Sequence, residues 1–347
     1  MRNSFKSLLL TATLFAVIAC DKGNPISTDE TVQGKLVFVM NDSTLGPWGI
    51  YTMNLDGSNL RPVAIPGDSV YFPGPWGQYY IIDNYYPLSY PRWSPDGSRI
   101  ACELTWAFEG YVIMLMNADG SNKHVLWKIR SAAQRPQWSP EGDKILFMRS
   151  GLLGAVFAIG ILDTSGENDR DFRVFDGSLI LFEGDSLWAN GDFQWGPTGS
   201  MLYGSHTVNA PPGYVVGNNP YNEIFSFDSR TGVVLQRLTR NTIDEGGFRI
   251  SPDGQTIAYK RGLYQQPSTL YFLKVDDNSL QEKKVERYVD FWWNWSKAGK
   301  LLVFAQDIDP DLFRNEEFRL YLLDASNGVI DKISDFRAMQ SDLIFGK

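Results

Sequence analysis

Five copies of one short motif constrain this chain more than any other feature. Trp93-Ser94-Pro95-Asp96-Gly97 is followed by Trp138-Ser139-Pro140-Glu141-Gly142 and Trp195-Gly196-Pro197-Thr198-Gly199. Ile250-Ser251-Pro252-Asp253-Gly254 and Trp295-Ser296-Lys297-Ala298-Gly299 continue the series. The spacings are 45, 57, 55 and 45 residues, too long and irregular for a helical solenoid but suited to four-stranded blades with variable loops. Each copy precedes an apolar segment: IACELT, ILFMRS, MLYGSH, IAYKRG and LLVFAQ.

A second element, offset from the first, repeats after each of those segments: YVIMLMNADGSN, FAIGILDTSGEN, IFSFDSRTGVV, LYFLKVDDNSL and LYLLDASNGVI, with an early copy IYTMNLDGSN. Asp-Gly, Asn-Gly and Thr-Gly between alternating runs signal hairpins, because glycine takes the positive φ of a tight turn. The unit is strand, tight turn, strand, loop, strand, tight turn, strand. The abundant aromatics, 32 Gly and 18 Pro agree with short strands joined by turns. The expected fold is all-β, a six-bladed β-propeller of four-stranded antiparallel blades starting near Gly34, Arg92, Pro136, Asp192, Gly247 and Asp290. The first blade lacks an aromatic-Ser-Pro strand, and the chain ends in a spare apolar segment, Ser341 to Phe345. That segment is expected to supply the innermost strand of the first blade and close the ring.

Aromatic-Ser-Pro-Asp-Gly, then Ile-Ala, then Tyr-x-Met-x-x-Asp-Gly-Ser-Asn resembles the repeat of TolB and related six-bladed propellers. The resemblance runs from about Gly34 to the C-terminus. TolB also carries a separate N-terminal α/β domain, for which the segment between Cys20 and the first repeat is expected to be too short. The resemblance implies a propeller of the cell envelope.

The first residues read as an export signal: Arg2 and Lys6, an apolar run from Leu8 to Ile18, then Ala19-Cys20. The run is too short to span a bilayer. Val17-Ile18-Ala19-Cys20 resembles a lipobox, which makes Cys20 the expected lipidated first residue of the mature protein and its membrane anchor. Residues 1–19 are thus the signal peptide, 20–33 a tether and 34–347 the propeller domain. Cleavage removes Arg2 and Lys6 and no acid, so 32 basic and 40 acidic residues become 30 and 40. That balance argues against nucleic acid as a partner. Cys102 is the other cysteine, expected to pack inside a strand.

Four up-and-down strands put both tight turns of a blade on one face and both longer connections on the other. On the tight-turn face Asp96, Gly97, Gly142, Asp253 and Gly254 are read as structural turn residues. The opposite face collects the insertions, which are aromatic: Tyr71, Phe72, Trp76, Tyr79, Tyr80, Tyr85, Tyr86 and Tyr90 in residues 64–90, Phe182 and Trp188 in residues 177–191, and Tyr214 and Tyr221 in residues 207–222. Long connections are often functional, and residues 64–90 read as one without regular structure. Trp76, Tyr79, Tyr80, Tyr85, Tyr86, Trp188, Tyr214 and Tyr221 are the candidate ligand-binding residues, since Tyr and Trp give large contact areas with a polar tip. The alternative is that these aromatics fold down to pad the disc and plug its channel.

His124 and His206 are the two histidines, too few for a multi-histidine metal centre such as related oligogalacturonate lyases use. Asp307, Asp309 and Asp311 begin like a calcium loop, but Leu312 and Phe318 stand where the turn glycine and closing acid belong. No Gly-x-Ser-x-Gly elbow occurs. No catalytic residue, metal or cofactor is therefore assigned. The leading expectation is a monomeric, membrane-anchored binding or scaffolding lipoprotein whose long-loop face takes a cell-envelope protein or glycan. The alternative is a propeller enzyme acting on polysaccharide or peptidoglycan fragments with acids or tyrosines at the channel mouth.

Overall fold

The computed structural model describes residues 34–73, 77–83, 87–106, 110–126, 133–150, 157–164, 173–175, 180–182, 185–208, 222–239, 246–261, 269–275, 280–284, 293–296, 299–307 and 318–345. Cys20, Trp76, Tyr85, Tyr86, Tyr214 and Tyr221 lie outside them, as does the side chain of Trp188. The described strands form six sheets, antiparallel but for one added strand in blade 2, arranged as the blades of a propeller.

Blade 1 is Gly34–Met40, Gly49–Asn54 and Arg61–Ala64, with Ala338–Phe345 as its inner strand. The pairing runs from Gly34↔Phe345 to Met40↔Ala338, so the two ends of the domain close the ring as the repeat count required. Blade 2 has Leu88–Trp93, Arg99–Trp106, Gly110–Asn117 and His124–Val125. Blade 3 has Ala133–Trp138, Lys144–Ser150, Phe157–Asp163 and Arg173–Phe175. Blade 4 has Asp185–Trp195, Met201–Val208, Asn222–Asp228 and Val234–Arg237. Blade 5 has Gly246–Ile250, Thr256–Arg261, Thr269–Lys274 and Leu280–Lys284, and blade 6 Asn294–Trp295, Leu301–Asp307, Phe318–Asp324 and Ile330–Lys332.

Alternation along each strand sends side chains to both faces of its blade, and each face meets a neighbouring blade. Six apolar clusters result, one per blade interface. Phe38 and Met53 of blade 1 meet Val303 and Leu320 of blade 6, for example, and Ile113 and Leu115 of blade 2 meet Phe147 and Leu162 of blade 3. Cys102 is a fully buried free thiol in the blade 1–2 cluster, and burial raises its pKa far above the ordinary thiol range.

Two insertions differ from the loops read in the sequence. Residues 64–90 contain the hairpin Ser69–Phe72/Gln78–Ile81, whose first strand pairs parallel with the outer strand of blade 2 at Tyr71↔His124. Blade 2 thereby grows to six strands, and the described part of this insertion sits on the rim of the disc. An outer strand leaves a row of backbone groups open, and the hairpin covers that row. In blade 4, Ile180–Phe182 pairs with the start of Asp185–Trp195, on the inner side of the inner strand, giving five strands.

Candidate functional site

The tight turns are built from local hydrogen bonds. Asp96 accepts from Ser94 Oγ at 2.6 Å, Ser98 N at 3.0 Å and Ser98 Oγ at 2.8 Å. The Ser94 bond, then the Ser98 amide, hold its pKa down at about 2. Asp253 accepts from Ser251 Oγ and Gln255 N in the same way, and Gly97, Gly142 and Gly254 take φ of 72°, 76° and 75°. Neighbouring turns interlock: Arg99 donates to Gly142 O at 2.9 Å and lies 4.6 Å over the Trp138 ring.

Inside this circle of turns, the channel opens into a cavity of about 410 Å³. Arg92, Gln137, Gln194, Arg249, Asn294 and Asp342 line it, one from the inner strand of each blade. Each stands immediately before the first motif residue, a Trp or, for Arg249, Ile250, and Asp342 stands before Leu343. Inner strands are edge strands, and their open backbone groups need partners. The polar ring supplies them from the neighbouring blade. Trp93 N donates to Asp342 Oδ2 at 2.7 Å, Ile250 N to Gln194 Oε1 at 2.9 Å, and the Gln137 amide donates to Phe193 O. Asn294 donates its amide to Asp342 Oδ1.

A second tier lies two residues earlier, where inner strands bulge. Tyr90, Arg135, Gly247 and Gln340 all have φ between 51° and 60°, and the ladder shifts register at each of these places. A bulge bends a strand and re-aims its side chains. Here too side chains cross between blades: Tyr90 N donates to Gln340 Oε1 at 2.9 Å and Arg135 N to Glu103 Oε2 at 3.1 Å.

The candidate aromatics divide. Phe72 and Tyr80 stack edge-on at 4.8 Å, Phe72 buried within the blade 1–2 cluster and Tyr80 packed against it. Tyr79 points the other way, 72% exposed, with its ring 5.1 Å from that of Tyr71, and Ile81 on the same strand face is 62% exposed. His124 is half-buried and bonds Asn122 O through Nδ1. His206 is buried against Phe193, Phe225 and Phe227. Among the described residues no group of three or more His, Cys, Asp or Glu side chains is placed to hold a metal ion.

No protein-family model matches the chain. An uncharacterized protein of Agrobacterium fabrum, Atu1656, is 26% identical over 249 residues, covering 64% of this chain and 83% of that protein. Among solved structures, TolB from Acinetobacter baumannii superposes with a TM-score of 0.61 at 16% identity, over 90% of this chain and 67% of that one. The fold is that of the TolB propeller. A chain of a nidogen/laminin complex is also similar, with a TM-score of 0.56 at 11% identity over 89% of this chain and 98% of that one.

The ring of this TolB-like propeller escaped a reading centred on the motif aromatic. A signal was present, since a polar residue directly precedes the first motif residue, Trp in four copies and Ile250 in the other, in all five. Glu103 escaped it as well. It is 3% exposed, it accepts from Ser89 Oγ and Arg135 N, and burial pushes its pKa up to about 7. The native state therefore keeps this proton to higher pH than the unfolded chain does, so the contribution of Glu103 to stability is greatest below the ordinary carboxyl range and is lost as pH rises through about 7. Glu103→Gln should remove that dependence. Comparing urea unfolding of the two proteins at pH 5 and pH 8, the stability difference is expected to move in favour of the variant by up to about 3 kcal/mol. Equal differences at the two pH values would contradict the assignment.

Proposed function

We propose that this chain is an exported binding module of the bacterial cell envelope, anchored by lipid at Cys20 and tethered by residues 21–33, that recognises a protein or glycan through its aromatic insertions. The observation that carries this reading is the rim hairpin. It commits Phe72 and Tyr80 to packing yet holds Tyr79 and Ile81 out in solvent on a rigid sheet edge. Exposed apolar groups fixed on regular structure suit recognition, and a tyrosine contributes both a flat ring and a hydrogen-bonding tip. Leu45 and Trp48, 54% and 45% exposed in the connection between Gly34–Met40 and Gly49–Asn54, add apolar surface on the long-connection side. A similar propeller chain was solved as part of a nidogen/laminin complex, which supports protein recognition by this architecture. The enzyme reading asks for converging acids of raised pKa, whereas the raised acid described above, Glu103, serves as a cap between blades.

Site-specific photo-cross-linking in the native envelope tests the proposal. A photoreactive residue at position 79 of the full, anchored chain is expected to capture one protein or glycan, and the same residue at Gly57, in a turn of blade 1, is expected not to. Cys20→Ser should shift the chain to the soluble fraction. Indistinguishable adducts from positions 79 and 57 would refute recognition by the hairpin.

A further inference from the structure

One guanidinium of the polar ring feels its carboxylates, Asp342 and Asp192, only from beyond salt-bridge distance. Arg249, of blade 5, has Asp192 at 3.3 Å and donates through Nε to Trp293 O at 3.0 Å. Asp342 is occupied by the Trp93 amide and the Asn294 side chain. Arg92, of blade 2, comes from the blade opposite blade 5 and is only 7% exposed, yet among the described residues it has no carboxylate within salt-bridge distance. Its hydrogen bonds are two long ones of 3.3 Å from a single nitrogen, Nη1, to Pro91 O and Ser341 O. The Nε and Nη2 hydrogens of a guanidinium form a fork suited to a planar anion. A buried charge without a partner is costly, and its ordinary resolutions are neutralisation or pairing. Burial lowers the Arg92 pKa to about 10, with Arg249 adding to the shift and Asp342 opposing it, so the guanidinium still carries its proton at neutral pH.

We propose that the channel mouth on the tight-turn face is a binding site for a carboxylate, which Arg92 takes in bidentate fashion while the body of the ligand rests against the surrounding tryptophan rings. The cavity of about 410 Å³ falls within the size range of small-molecule sites. Trp93, Trp138, Trp195 and Trp295 line it, flat surfaces suited to the apolar face of a sugar or an aromatic ring. Gln137 and Gln194 also line it, their amides held by Phe193 O and by the backbone of Ile250. Acidic sugars and polypeptide C-termini share this chemistry. The site lies on the face opposite the long connections, so it stands independently of recognition by the hairpin.

The four tryptophans make intrinsic fluorescence a direct readout. Titrating the folded chain with glucuronate, with N-acetylphenylalanine and with the methyl ester of each separates the two carboxylate sources and isolates the charge. A saturable change with at least one acid, at least tenfold weaker for its ester, is expected. Arg92→Gln should weaken that acid by at least tenfold without altering the ester, and Arg92→Lys, which keeps charge but not the fork, should fall between. Should Arg92→Gln fail to fold, the acid and ester comparison on the unmodified chain decides the matter alone. No saturable response, equal responses to acid and ester, or a response to inorganic phosphate alone would overturn the assignment.

Discussion

A chain ending at Arg337 is expected to lose cooperative unfolding altogether. The inner strand of blade 1, Ala338–Phe345, joins Gly34–Met40 from end to end. Its removal opens the edge of blade 1 and uncovers Leu36, Phe38 and Met40, which are fully buried in the cluster with blade 6. Three interblade partners go with it: Asp342 for the Trp93 amide, Gln340 for the Tyr90 amide and Ser341 O for Arg92. Stripping several buried side chains at about 1.5–3 kcal/mol each exceeds the 5–15 kcal/mol that typically separates a domain from its unfolded state. Far-UV circular dichroism against urea should show a broad, low transition where the intact chain shows a sharp one. A synthetic peptide of residues 338–347 added in excess should restore the sharp transition, because its strand has a preformed edge to join. If the truncated chain unfolds as sharply as the intact one and at nearly the same urea concentration, the clasp does not hold the ring closed.

The blade count was legible because its signals are local, and the clasp followed from that count, although its two strands stand at opposite ends of the domain. Ser94, Asp96 and Ser98 form one turn with their own atoms, so the pattern that makes the turn is written in five consecutive residues. The rim hairpin was not legible. Pro73, Gly74, Pro75 and Gly77 read as breakers, each strand is four residues long, and the partner that fixes them, His124, lies more than fifty residues downstream. The polar ring was hidden for a different reason. A residue such as Gln194 beside an apolar strand residue reads as solvent-facing, and its real task depends on the backbone of Ile250, 56 residues away. The division of the aromatics followed from pleating, since Tyr79 and Tyr80 are adjacent in sequence and face opposite ways. Of the other candidates, Trp188 has its backbone in the inner strand Asp185–Trp195 of blade 4, while Trp76, Tyr85, Tyr86, Tyr214 and Tyr221 lie outside the described residues.

Gly160→Ala should destabilise the propeller by several kcal/mol, although alanine suits a β-strand at least as well as glycine does. Gly160 is paired directly with Phe147 in blade 3, and the Phe147 ring lies across it. A Cβ at position 160 would overlap that ring. The ring cannot move aside, because it is wholly buried in the cluster with Ala101, Ile113 and Leu115 of blade 2. Overpacking of this kind costs roughly 1–3 kcal/mol and more where backbone must shift. Phe147→Ala should cost about 3–5 kcal/mol by leaving a cavity. The double variant Phe147→Leu/Gly160→Ala should cost less than the sum of its single changes by about 1–3 kcal/mol, since the smaller side chain makes room for the new methyl. Gly57 supplies the contrast, at φ 80° in an open turn where a Cβ meets nothing within 4 Å. Gly57→Ala should lose only about 1 kcal/mol, from backbone strain alone. Urea unfolding of these four variants and of Phe147→Leu alone separates the two causes. An additive double change, or equal losses at 57 and 160, would mean that Gly160 is retained for its backbone and not for the ring it accommodates.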